Sequence, residues 1–531
     1  MQPDAVFFNG NVYTLDPARP RARAIAVRCG HILAVGEDAE VLALAGPGTQ
    51  RMNLGGRTVL PGFCDAHIHL LGYGLSLTQV QLDGIASLEE ALQRVAERAQ
   101  KERPGAWIRG MGWNRNLWPG TPFPHRWDLD PVTPDNPAFL PSKDGHSAWA
   151  NSLALRLAGI TASTPDPPGG QIERDAQTGE PTGLLKEGPA MEILERAAGP
   201  VSPGEQDDAV RAATKRLHRL GITSVHALLE EHDLAAVQRL WERRELGLHV
   251  QAIIPERCLD SVRKVGLRAG LGDEWLRVFA IKVFADGALG SRSADMLEPY
   301  DDETDNRGIE VTSNERLDRL VAECCAGGWN MAIHAIGDRA NRRVLDVLEA
   351  HHDEWSRQGL RPRIEHVQLL APEDVPRLGR LGVVASMQPI HCTSDYLMAD
   401  RHWGRRSAGA YAWRSILESG APLAFGSDAP VEEPNVLRGI HAAVTRQRAD
   451  GTPRGGWHSE QCLSVAQAVH AYTLGAAYAC GLERVQGSLS VGKQADMVVL
   501  SQDILAQPAQ EILDTRVEVT ILAGQVVYER P

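Results

Sequence analysis

From residue 204 onward, short apolar runs alternate with longer segments whose apolar positions recur at helical spacing. The runs predict strands over 222–226, 248–254, 278–284, 330–334, 363–367, 383–387 and 422–426. The segments 205–220, 234–246, 314–326, 340–350, 375–381 and 416–419 predict the helices between them. The apolar run ahead of His67 adds a further strand and brings the series to eight. Strands that alternate with helices imply a parallel sheet. Eight such units fit a closed (β/α)8 TIM-type barrel, in which reactive residues sit at the C-terminal strand ends.

The two ends of the chain follow a different pattern. Residues 5–60 read as short strands and tight turns, with Asn9-Gly10 between two apolar runs as a hairpin signal. Residues 495–500, 517–522 and 525–528 are also strand-like. Two short all-β pieces would each expose a bare sheet edge. They are therefore expected to pair into one small β-sandwich, residues 1–60 with 481–531, flanking a barrel over 61–480. Residues 71–203 form a large insertion after the first barrel strand, with one helix expected over 87–103 and an otherwise irregular course. Such a segment is expected to act as a lid or specificity element. Trp107, Trp113 and Trp118 are expected in its core.

The chemistry gathers at the predicted strand ends. His67-Ile-His69 closes the first strand, and alternate side chains of a strand share one face, so both imidazoles can aim at one point. Lys282 ends the fourth strand, His334 the fifth and His366 the sixth, and Asp428 follows the eighth. A lone His-x-His is weak evidence, and a lone histidine is more often a core residue. An ordered series converging on one barrel mouth supplies nitrogen and oxygen donors for one or two divalent ions, with zinc favoured by donor type. His226 and His391 face the same mouth and are candidates for substrate contact or for orienting ligands.

Composition narrows the partners. The 531 residues are 43% hydrophobic and 23% charged, which allows a substantial core, and the net charge of -13 argues against nucleic acid or an anionic membrane. No signal peptide or spanning segment is read, and the eight cysteines are scattered without a Cys-x-x-Cys pair. The expectation is a cytoplasmic protein with reduced cysteines, a small-molecule substrate and the common default of a homodimer.

The motifs Leu60-Pro-Gly-Phe-Cys-Asp-Ala-His-Ile-His69, Phe284-Ala-Asp-Gly-Ala-Leu-Gly-Ser-Arg-Ser293, His334-Ala-Ile-Gly-Asp-Arg339, Glu365-His366 and Gly426-Ser-Asp428 resemble the amidohydrolase superfamily of metal-dependent hydrolases. The run through Phe284–Ser291 is similar to the branch that contains N-substituted formamide deformylase. The resemblance implies His67 and His69 on one metal, His334 and His366 on a second, and Asp428 on the first metal and in proton transfer. It implies an N-carboxylated Lys282 bridging the two; an ordinary ion pair of Lys282 with Asp286, and one metal, is the alternative. Lys186 and Glu187 are rival ligands within the insertion. Asp144, His146, Asp286, Arg292 and His391 are candidate substrate contacts. The implied reaction is hydrolysis of a non-peptide amide, formamide or related acyl-nitrogen bond by metal-activated water. The alternatives are ester or lactone hydrolysis on the same residues, or a barrel that only binds.

Overall fold

A computed structural model describes residues 2–120, 123–142, 147–168 and 170–531. The chain divides into two compact units, residues 1–70 with 214–531, and residues 71–213.

The first unit contains the barrel. Its parallel strands are β1 (Phe63–Ile68), β2 (Ile222–Leu228), β3 (His249–Pro255), β4 (Leu276–Phe284), β5 (Asn330–Ala335), β6 (Arg363–His366), β7 (Val384–Met387) and β8 (Leu423–Phe425). Each pairs with the next in chain order. Most of these residues are buried, as expected of strands covered on both faces, and this is why they read as continuous apolar runs. A single parallel bridge, Ile68 to Ala429, brings the last strand back to the first and leaves the barrel nearly closed. Register aligns Phe284 with His334, His334 with Glu365, and Glu365 with Ser386 around the wall.

The sandwich draws on both chain ends. One sheet has the order 525–529, 517–522, 497–500, 58–61, 11–13, 21–22, and the other the order 31–36, 24–28, 5–8, 50–53. Phe7, Ile25, Val59, Met497, Val499 and Ile521 share the core between them. The hairpin expected at Asn9-Gly10 does not form. Ala5–Phe8 pairs with Ala24–Arg28 and Gln50–Asn53, whereas Asn11–Tyr13 pairs in the other sheet. Asn9 (φ 55°) and Gly10 therefore carry the chain from one sheet to the other. An Asn-Gly step supplies the sharp backbone reversal in either case, and the partner is chosen by burial of both flanking runs.

The second unit corrects the expectation of an irregular insertion. It holds a six-stranded sheet, in the order 171–174, 181–186, 147–150, 138–141, 108–111, 80–81, and a helix at Leu88–Ala99. Trp113, Trp118 and Trp149 are buried in its core, and Trp107 packs against a neighbouring cluster. Its strands are short and broken by Pro and Gly, so each carries too few positions to show a period. Asp144 and His146 lie outside the described residues. Among the described residues no helix is long and apolar enough to cross a membrane.

Candidate metal centre

The closing seam of the barrel builds the centre. The Asp428 amide donates to the His67 carbonyl at 2.7 Å, and the His69 amide to the Ala429 carbonyl at 2.9 Å. A side chain at Gly426 would place its Cβ 2.4 Å from the His67 backbone nitrogen, so only glycine lets the strands approach this closely. Asp65 shares the inward face with His67. Its carboxylate accepts from the His67 and Ser427 amides and, at 2.5 Å, from the Ser427 hydroxyl. Burial pushes the Asp65 carboxyl up to about 6 although these donors oppose the shift.

With the seam fixed, His67 Nε2 lies 3.3 Å and His69 Nε2 3.2 Å from Asp428 Oδ1. Behind His67, its Nδ1 is 2.5 Å from Glu365 Oε2. Glu365 is in turn held by Arg363, Nε to Oε1 at 2.5 Å and Nη2 to Oε2 at 3.0 Å. Arg363 also donates to Ser386 Oγ, to the Ala66 carbonyl and to His226 Nδ1. His226, Arg363 and Glu365 are fully buried. A carboxylate on one imidazole nitrogen fixes the tautomer and turns the other nitrogen toward the site.

His366 repeats this arrangement. Its Nδ1 is 2.8 Å from Gln388 Oε1, which leaves Nε2 for the centre. His334 is anchored the other way, with Nε2 donating to the Gly287 carbonyl at 2.9 Å. Burial, together with the Lys282 charge, pulls His334 down to about 3, and burial with neighbouring His334 holds His366 well below its ordinary value. Both are therefore neutral, as ligation requires. Burial lowers His67, but Glu365 and Asp428 on either side more than offset it and leave it raised. Burial would raise Asp428, yet His67 and His69 hold it well below the usual carboxylate range. Lys282 is buried with no hydrogen-bond partner for Nζ, and burial lowers it to about 8 against the pull of Glu365 and Asp428.

His366 (φ 76°), Val367 (φ 42°) and Asp428 (φ 60°) all take left-handed backbone. That geometry costs a non-glycine residue of the order of 1 kcal/mol or more, and it gathers where a site dictates side-chain direction.

The donor set fits a divalent cation. With bonds of ~2.0 Å, neighbouring donors on a tetrahedral zinc lie ~3.3 Å apart, the spacing already held between Asp428 Oδ1 and each of His67 and His69. Two groups of ligand atoms lie within 4.8 Å of one another among the described residues: His67, His69 and Asp428, and His366, His391 and Asp428. The anionic surroundings of His67 also call for positive charge at this point.

Residues 50–528 match the family described as the amidohydrolase family. The chain belongs to that family. It is 33% identical to the putative amidohydrolase YtcJ of Bacillus subtilis (strain 168), over 99% of each chain. It is 28% identical to N-substituted formamide deformylase of Arthrobacter pascens, over 99% of this chain and 98% of that one. An uncharacterized metal-dependent hydrolase from Pyrococcus horikoshii OT3 superposes with a TM-score of 0.80 at 28% identity, covering 95% of this chain and 99% of its own. The branch resemblance and the barrel of this amidohydrolase thus agree with its relatives.

Of the remaining candidates, Asp286 borders the centre and the others are engaged elsewhere. The Asp286 carboxylate accepts from the Asp295, Ile336 and Gly337 amides and lies 3.5 Å from His334 Nε2, so it organises the loops after β4 and β5. Arg292 is paired with Asp302 and Glu303. Lys186, in the second unit, is paired with Glu173, and Glu187 caps a helix there at φ 63°. Asp65, Arg363, Glu365 and Gln388 gained no role from the sequence. Their signal was available: Asp65 with His67, and Arg363 with Glu365, are charged residues at period two on strands that are otherwise apolar.

Proposed function

We propose that this amidohydrolase cleaves a non-peptide carbon–nitrogen bond, of the amide, formamide or related acyl-nitrogen type, with one or two zinc-like ions bound by His67, His69, His334, His366 and Asp428. The observation that carries the reading is Asp428. Its carboxylate is almost wholly buried, held ionised and set 3.2–3.3 Å from two imidazoles at the barrel mouth. A bound divalent cation supplies Lewis-acid chemistry, acidifying water toward pKa ~7 and polarising a carbonyl. Asp428 takes the proton released by the attacking water and returns it to the leaving nitrogen. Glu365 and Gln388 hold His67 and His366 in the tautomers that face the reaction.

A cavity of about 350 Å³ adjoins His69 and Lys282, with Leu228, Ile253, Phe284 and Val311 on its apolar walls and Glu230, Glu256 and Arg257 along a charged side. We assign the substrate's apolar substituent to it, a chemistry consistent with similarity to N-substituted formamide deformylase. Lys282, a buried amine whose Nζ has no hydrogen-bond partner, is the residue we assign to carbamate formation. The carbamate would exchange an ammonium that burial disfavours for an anion beside the ligands. A carbamate signal in ¹³C NMR after bicarbonate labelling is the expected result.

The deciding experiment is elemental analysis of metal-reconstituted protein, joined to a panel of N-formyl, N-acyl and cyclic amides with matched esters and lactones. Metal-dependent amide turnover is expected. Protein that takes up no metal and hydrolyses nothing would leave only a binding barrel, and turnover confined to esters would replace the carbon–nitrogen assignment.

A further inference from the structure

The cavity beside His69 and Lys282 is apolar on one side and acidic on the other. Leu228 and Ile253, near the ends of β2 and β3, join Phe284 and Val311 on the apolar side. The acidic side comes from the segments that follow the same two strands, with Glu230 after β2 and Glu256 and Arg257 after β3. Pro255 stands level with Lys282 in the strand register, so Glu256 lies one residue further toward the mouth. Arg257 does not neutralise this side. Its Nε donates to Glu231 Oε1 at 2.9 Å and its Nη2 to Glu231 Oε2 at 2.6 Å, and Nη2 also reaches Glu230. Glu230 in addition caps the helix Glu231–Glu242. One guanidinium is thus shared by two carboxylates, and a third, Glu256, has no ion-pair partner among the described residues. Glu256 is half-buried, and its Oε2 is out of solvent with no hydrogen-bond partner. A carboxylate oxygen in that position is destabilising until a donor reaches it. The net charge of -13 draws cations toward such a site at longer range.

We propose that Glu256 is a specificity residue that takes a cationic amine at the far end of the substrate's substituent. This rests on the carbon–nitrogen hydrolase reading above and names its substrate class: an acylated amine whose apolar spacer ends in a second, protonated amine. The spacer lies along Leu228, Ile253, Phe284 and Val311, while the bond to be cleaved faces His69 and Lys282. The ammonium donates to Glu256, and its charge meets the surplus of carboxylates at Glu230, Glu231 and Glu256. An uncharged chain of equal length leaves Glu256 unpaired, and this difference separates the two kinds of substrate. A chain that ends in a carboxylate is repelled.

The test compares two isosteres on metal-reconstituted protein. One is a linear diaminobutane formylated at one end, and the other is N-pentylformamide, in which a methyl group replaces the ammonium. Steady-state kinetics are measured for wild type, Glu256→Gln and Glu256→Asp. Wild type is expected to favour the charged compound by at least about 10-fold in kcat/KM, through KM. Glu256→Gln keeps the size of the side chain and removes its charge, and should bring the two KM values together. Glu256→Asp should retain part of the preference. A wild type that treats both compounds alike, or a glutamine variant that keeps the preference, overturns the proposal and leaves the hydrolase reading standing. If neither compound is hydrolysed, calorimetric titration of the same pair decides. Tighter binding of the charged compound, lost in Glu256→Gln, supports the proposal while the hydrolase reading falls. Equal or undetectable binding of the two overturns it.

Discussion

At the scale of single residues, the proposed function gives Asp428 two duties that one substitution separates. Asn in its place keeps an oxygen donor but cannot carry a proton. Asp428→Asn is expected to lower kcat by about 10²–10⁴-fold while elemental analysis still finds metal. A variant with full turnover would remove the proton-transfer role. Glu365 acts one step away, through His67, and touches nothing that reacts. Glu365→Gln preserves shape but gives up the charge that faces Nδ1. Metal affinity is expected to fall about 10–100-fold in a competition titration. An unchanged affinity would mean that Arg363 and the strand alone orient the ring. The neighbouring Arg363–Glu365 pair lies out of solvent, so removing either partner by itself strands a buried charge.

At the scale of elements, the centre depends on how closely β8 returns to β1. Gly426 is where the approach is tightest, and the obstacle is backbone rather than a movable side chain. Gly426→Ala is expected to push the seam apart, costing about 1–3 kcal/mol in chemical unfolding and weakening metal binding with it. A variant of wild-type stability and metal affinity would show that the seam yields freely. The eight barrel strands were legible in the sequence because full burial writes each as one apolar run. Two elements were not. The turn at Asn9-Gly10 has the composition of a hairpin, yet its flanking strands enter different sheets. The short strands between residues 71 and 213 show no period, and three of the five pairings in their sheet join residues 30 or more apart.

Across the molecule, the barrel and the sandwich from the chain ends meet at His249 and Asp496. His249 Nε2 is 3.1 Å from Asp496 Oδ2, an ion pair without hydrogen-bond alignment, and Nδ1 bonds the Glu274 carbonyl at 2.7 Å. Burial lowers His249, but the Asp496 carboxylate outweighs it, and the folded pKa is raised. A raised folded value favours the protonated native state. The stabilisation is complete below the unfolded value of ~6.5 and is lost as pH rises through the folded one. Thermal unfolding across that window is expected to show wild type losing stability toward high pH, and Asp496→Asn losing less. Parallel curves would exclude the pair as a source of pH dependence.

The sequence by itself determined the barrel and the main candidate ligands, since burial and strand period act on neighbours along the chain. It also carried the family motifs. Folding alone decided which donors come within reach of one another and which residues stand behind them. The Glu365–His67 contact joins positions 298 apart, and Asp428 meets His67 and His69 only because β8 closes against β1. Such distances are set by register and closure, which no local pattern records.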